Sequence, residues 1–277
     1  MPRSHHRCEP RRTATGRFAA GLALLTALFT LGLSTPVMAR TMPGRATNAP
    51  GSTEAPRCGW KDGAFTHGLR DSRHIALTFD ACPTRHVPGF STAIVDYLQR
   101  QHIPATFFVS GRWAETHPRE FSRLASVPFF EVASHGYRHR HLTDGAESAD
   151  LQDIARGQQS LVNLHAHPDR LFRPAYGDLP SILPTLGRQD GLTPVLWDIV
   201  TGDPDPHVTA KGIEREVLSH ARGGSIVVMH VNGRGVATPA ALPVFVAGLR
   251  KKGFDFVTVG SLLHECRVNL ADGHMSK

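Results

Sequence analysis

Two histidines four residues apart, His135 and His139 in the segment SHGYRH, are the first side chains in this chain whose spacing points to chemistry. On a helical turn that spacing sets both imidazoles on one face, where they can reach a single ion at about 2.0–2.1 Å. The chain holds 17 histidines, so a chance pair is an equally good account until other residues join it, and His141 stands nearby as a rival ligand. Asp80 closes the run LTFD. Arg173, in LFRPAYG, can clamp a carboxylate with a bidentate pair or form a structural ion pair at a rim. His230 ends SIVVMH, where an imidazole can move a proton near neutral pH or cap the last carbonyl of a strand. Asp203, in TGDPDP, taken alone makes an Asx turn.

The elements that must carry these residues are short β-branched and aromatic runs alternating with helical patterns. The runs are IALTF, ATFFV, PFFEVAS, LFRPA, PVLWDIV, SIVVMHV and FDFVTV. Between the first two, Phe90, Ile94, Tyr97 and Leu98 recur at helical spacing. About seven strands separated by helices imply parallel βα units, closed or nearly closed into a barrel; an open doubly wound sheet shows the same alternation. In a barrel, residues at the C-terminal strand ends share one mouth. Asp80, His135, Arg173, Asp203 and His230 lie at or just past five such ends.

Composition narrows the setting. At 277 residues and 40% hydrophobic, the chain can bury a full core. Residues 1–39 hold five arginines, the apolar run FAAGLALLTALFTLGL and a small-x-small site ending at Ala39, the layout of a secretory signal peptide. The run is shorter than the ~20 residues that span a bilayer, and no later run reaches that length. Removal of the leader takes five of 31 basic and one of 24 acidic residues, leaving 26 against 23, a net charge of +3. That weak, scattered charge excludes nucleic-acid binding from bulk electrostatics. Residues 40–72, rich in Gly, Pro, Ser and Thr, read as a linker or irregular lead-in, with the folded domain over 73–277. In an oxidising compartment cysteines pair; Cys58 and Cys266 flank the domain and could clasp its ends, leaving Cys82 as the odd thiol.

Taken together, five segments resemble, in order, the motifs of the polysaccharide deacetylase family, the NodB-homology domain of the carbohydrate esterases. They are LTFDAC, SHGYRH, RPAYG, DIVTGD and SIVVMH. The resemblance spans His74 to Cys266 and implies a distorted (β/α) barrel. It implies an exported, periplasmic or extracellular hydrolase that removes N-acetyl groups from a polysaccharide or oligosaccharide with a divalent metal, typically zinc. By the same resemblance His135 and His139 are metal ligands and Asp80 is the base. His230 is the acid, oriented by Asp203; Arg173 holds Asp80, and the backbone N–H of Tyr176 helps to stabilise the oxyanion.

This chain departs from the pattern where the family has a second, metal-binding Asp: Ala81 stands there. Gly136, Ala175 and Pro204 are lesser departures. Three outcomes stay open: Asp80 itself becomes a ligand, two histidines hold the ion alone, or the site binds no metal. Cys82, close to Asp80, could supply a thiolate, but on a strand it points to the face opposite to Ala81. Two other functions fit the same residues: a non-catalytic glycan-binding protein, and a deacylase for a different C–N or ester bond.

Overall fold

A computed structural model of the chain describes residues 58–84, 89–143, 146–164, 166–189 and 191–275. The expected leader, and the lead-in before Cys58, lie outside them. No helix among the described residues is long and apolar enough to cross a membrane.

A hairpin, β1 (Gly59–Lys61) and β2 (Ala64–His67), precedes β3 (His74–Ala81). The chain continues through α1 (Thr92–Arg100), β4 (Ala105–Val109), α2 (Gly111–Thr116), α3 (Pro118–Ala125), β5 (Phe130–Ser134) and α4 (Glu147–Asn163). Then come β6 (Leu171–Phe172), α5 (Leu183–Gln189), β7 (Thr193–Pro194), β8 (Ile199–Val200) and α6 (Ala210–His220). The last elements are β9 (Ile226–His230), α7 (Thr238–Lys251), β10 (Asp255–Val257) and α8 (Val259–Met275). The main sheet runs β7-β6-β5-β4-β3-β9-β8 with β10 added to β3, and all its pairings are parallel. It is a curled, incompletely closed (β/α) barrel, one of the two arrangements that the alternation allows and the one that the family resemblance implies.

Pleating on β3 sorts the core. Ile75, Leu77, Phe79 and Ala81 point into one apolar cluster with Ile94, Leu98 and Phe245 from the helices. Ala76 points the other way, into a second cluster with Phe65, Phe108, Val195 and Leu262. Thr78 and Asp80 share its face by the two-residue period of a strand.

Two expectations are corrected. The run PVLWDIV is not one strand. It splits into β7 and β8 on opposite edges of the sheet, because its backbone changes partner at nearly every step. Val195 N–H donates to Phe172 O, Leu196 N–H to Phe65 O and Asp198 N–H to Ile226 O. That segment crosses the open seam of the barrel. The lead-in is likewise not irregular as far as residue 72. From Cys58 it forms the β1–β2 hairpin, turned by Asp62 and Gly63, both at positive φ. Phe65, fully buried, bridges to Val195 at the seam. Cys58 is disulfide-bonded to Cys266 on α8, with Cα atoms 6.1 Å apart, so the two ends of the domain are clasped.

Candidate active site

Strand register assembles the site. Asp80 on β3 pairs with His230 on β9. One rung further, Ala81, Val109, Ser134, Phe172 and Pro194 line up across five strands. His135 and Arg173 are each the next residue in the chain, so both emerge at the same rim, where His135 N–H donates to Val109 O and Arg173 N–H to Ser134 O.

Arg173 is fully buried and fixes the nearby acid. Its Nη1 donates to Asp80 Oδ1 and to Thr78 Oγ1, each at 2.8 Å, and its Nη2 donates to Leu196 O at 3.2 Å. The guanidinium lies over the Phe108 ring, 3.9 Å from its centroid. Burial pushes the Asp80 carboxyl up, but Arg173, with His135 and His230, outweighs it and holds the group below its ordinary range. Oδ1 is thereby engaged, and Oδ2 faces His135 Nε2 at 3.7 Å.

The His135 tautomer follows from its partner. A carbonyl can only accept, so Nδ1–H donates to Arg173 O at 2.7 Å and Nε2 carries a lone pair. That Nε2 is buried and has no hydrogen-bond partner. His139 reaches the same place by a different route from the expected helical turn. The segment after β5 bends, with Gly136 at φ 71° and His139 at φ 55°. It is pinned to α4, where Asp153 Oδ2 accepts from Tyr137 N–H at 2.9 Å. A Cβ on Gly157 would lie 2.4 Å from the Gly136 carbonyl, so only glycine lets helix and bend approach so closely. The two imidazole centroids end 4.9 Å apart. Burial lowers both rings, His139 to about 3, so both are neutral at physiological pH.

On the other side, His230 Nδ1–H donates to Asp203 Oδ1 at 2.8 Å. Asp203 Oδ2 accepts from the His230 backbone N–H and from Thr238 Oγ1, both at 2.8 Å. Asp203 is buried and does more than make a turn, despite Pro204 following it. Its two oxygens fix the ring and the backbone of one histidine.

Asp80, His139, Tyr176, Trp197, Asp203, His230 and Arg234 line a single cleft of about 290 Å³. Tyr176 sits at φ 60° after Pro174 and is half exposed. His141, the rival ligand, is not part of this group: it stacks on Tyr176 with centroids 3.9 Å apart and bonds Asp178 through Nδ1. Cys82 is buried and its thiol is pushed up to about 12, first by burial and then by the Asp80 charge. It accepts from Asn232 Nδ2 at 3.1 Å and is no thiolate. Thr78, Thr238, Trp197 and Arg234 were not singled out in the sequence. The first two are ordinary strand and helix residues there; Arg234 had a signal in its glycine-flanked setting, NGRG.

The family implies a divalent metal, and these residues fit one in part. The unpartnered, buried Nε2 of His135, the neutral His139 ring and Asp80 Oδ2 are the donor types that such an ion takes. The Ala81 methyl packs in the apolar cluster and offers no donor. Among the described residues no three His, Cys, Asp or Glu side chains already stand at ligand spacing.

Residues 67–195 match the profile of the polysaccharide deacetylase family. The chain is 29% identical over 197 residues to a peptidoglycan-N-acetylglucosamine deacetylase of Listeria monocytogenes, covering 71% of this chain and 40% of that protein. It is 29% identical over 194 residues to a chitooligosaccharide deacetylase of Azorhizobium caulinodans, covering 65% and 90%. Among solved structures it is similar to a peptidoglycan N-acetylglucosamine deacetylase bound to a hydroxamate-type benzamide. There the TM-score is 0.63 at 27% identity, with 71% of this chain and 91% of that one covered. The chain thus spans less than half the length of the Listeria relative.

Proposed function

From the match of residues 67–195 to the polysaccharide deacetylase family and the similarity to its deacetylases, we propose that the chain hydrolyses the acetamide of an N-acetylated glycan. The observation that carries this reading is a pair of proton-transfer groups, Asp80 and His230, in adjacent strand register at one cleft. Each is locked by a buried charged partner, Arg173 or Asp203.

In the proposed reaction Asp80 keeps Oδ1 on Arg173 and takes the proton of the attacking water with Oδ2. His230 keeps Nδ1–H on Asp203, so its protonated ring presents Nε2–H to the departing amine. The Asp203 carboxylate stabilises the imidazolium and fixes its orientation. The Tyr176 backbone N–H donates to the developing oxyanion, a contact that strengthens as charge builds. His135 and His139 would hold a divalent metal, with Asp80 Oδ2 beside them. Once bound, such an ion polarises a carbonyl and acidifies water. Zinc suits two imidazoles and a carboxylate. With export directed by residues 1–39, the substrate is a glycan outside the cytoplasm, and peptidoglycan and chitooligosaccharides are named for two of the relatives.

Ala81 favours one second reading, a protein that binds glycan on this fold without hydrolysing it. Acetate release separates the two. Purified chain, supplied with zinc and N-acetylglucosamine oligosaccharides, is expected to release acetate, and Asp80→Asn and His230→Ala to lose that activity. Retained glycan binding with no acetate from the wild type would establish the second reading instead.

A further inference from the structure

Among the described residues, the acids that line the cleft are each engaged by a partner side chain. Asp80 is neutralised by Arg173, and Asp203 is engaged by His230 and Thr238. Arg234 lines the same cleft, and among the described residues its guanidinium has no carboxylate partner; its charge acts to lower the Cys82 thiol. Its charge is felt at His139.

The loop that presents Arg234 is built rather than loose. Asn232, fully buried, donates from Nδ2 to Cys82 O at 2.8 Å, and its Oδ1 accepts from Arg234 N–H at 3.4 Å. Gly233 takes φ 83°, and a Cβ on Gly235 would lie 2.4 Å from Asp203 Oδ2. The loop is therefore seated against the Asp203–His230 pair, with the exposed Arg234 at the edge of the reacting centre. Tyr176, Trp197 and Val200 give the cleft apolar walls of the kind that cover sugar faces. A planar cation beside such walls, with no ion-pair partner among the described residues, suits a carboxylate carried by the sugar.

We propose that Arg234 selects the substrate by pairing with a carboxylate on the glycan, so that the site prefers N-acetylated chains whose sugars bear acidic groups over neutral ones. This rests on reading the cleft as the glycan site of a deacetylase. The test uses three oligosaccharides of equal length: neutral N-acetylglucosamine, an alternating N-acetylglucosamine/N-acetylmuramic acid chain, and that chain with its carboxylates amidated. A uronate-containing N-acetylated oligosaccharide forms a second acidic arm, to distinguish a lactyl from a ring carboxylate. Acetate release gives kcat/KM, and calorimetry on the Asp80→Asn chain gives affinity without turnover.

A charge-assisted pair predicts a preference of roughly tenfold or more for acid over amide at low salt, fading as salt rises. Arg234→Gln should abolish that preference and Arg234→Lys keep part of it. Equal affinity and kcat/KM for acid and amide, or a preference that survives Arg234→Gln, would overturn the proposal. Acid-selective binding without acetate release would sink the deacetylase reading and leave this one standing; turnover without selectivity would do the reverse.

Discussion

Removing Arg173 while keeping its volume apolar, as Arg173→Met, tests how the base is held. Asp80 and Arg173 are both buried, and their 2.8 Å bond is the nearest compensation for the Asp80 charge. Breaking a buried pair from one side costs about 3–5 kcal/mol when the remaining charge stays ionised. The carboxylate has an alternative: at pH 7 an ordinary Asp can be protonated for about 1.36 × (7 − 3.9), or ~4 kcal/mol. The two costs are similar, so Asp80 in the variant is driven up until it protonates near neutral pH. In the wild type the folded carboxyl lies below its unfolded value. Its stabilisation is thus present above the unfolded value and is lost as the pH falls through the folded one. In the variant the shift is reversed, so the Asp80 contribution is lost as the pH rises through the new, higher value. Urea unfolding at pH 5 and pH 7 should show the variant's deficit growing from about 1–2 to about 4 kcal/mol. Adding Asp80→Asn to Arg173→Met should recover part of that deficit at pH 7. The variant's activity should fall at pH 7 and recover toward alkaline pH. A deficit below 1 kcal/mol, or one equal at both pH values, would refute the idea that Arg173 keeps a buried Asp80 ionised.

Asp203→Asn should lower kcat about 10- to 150-fold with little change in KM, from the loss of roughly 1.5–3 kcal/mol of charge-assisted bonding to His230; an unaltered kcat would remove Asp203 from the proton-transfer role. Elemental analysis should find roughly one divalent ion per chain after zinc loading and close to none in His135→Ala, with circular dichroism checking that this variant, which also loses the Nδ1–H bond to Arg173 O, stays folded. Ion content unchanged in that variant would exclude His135 as a ligand. Far from the cleft, burial pushes Glu131 up to about 7 as it accepts from Thr106 and from Gly260 N–H at the start of α8. Its contribution is full below the unfolded value and lost as the pH rises through about 7. Glu131→Gln should therefore leave stability unchanged near pH 4.5 and raise it by up to ~3 kcal/mol at pH 8. Equal effects at both pH values would contradict a buried, protonated Glu131.

Strand alternation and the chemistry at strand ends were legible from residue types. A buried parallel strand must be apolar nearly throughout, so a polar residue closing one, such as Asp80 or His230, stands out. The bend carrying His139 was not legible as a bend. Its positive φ values at Gly136 and His139 depend on packing against Gly157 and Asp153 of α4, residues 14 or more positions away. Local spacing alone suggested a helical turn. The β1–β2 hairpin was missed because three- and four-residue strands are too short to show a period, and Phe65 is buried only by the seam that it bridges.

The sequence by itself carried the resemblance to the polysaccharide deacetylase family, the alternation of strands with helices, and Asp80, His135, His139, Arg173, Asp203 and His230 as one candidate set. It also showed that Ala81 removes an acid. Only the tertiary structure decided what each does to its neighbours: that Asp203, which alone reads as a turn residue, binds both the ring and the backbone of His230, and that His141 lies apart on Tyr176. It also decided that Arg234 lines the cleft with no carboxylate partner among the described residues. The reason is that hydrogen bonds, burial and charge compensation are set by groups dozens of residues apart, whereas spacing along the chain records only local geometry.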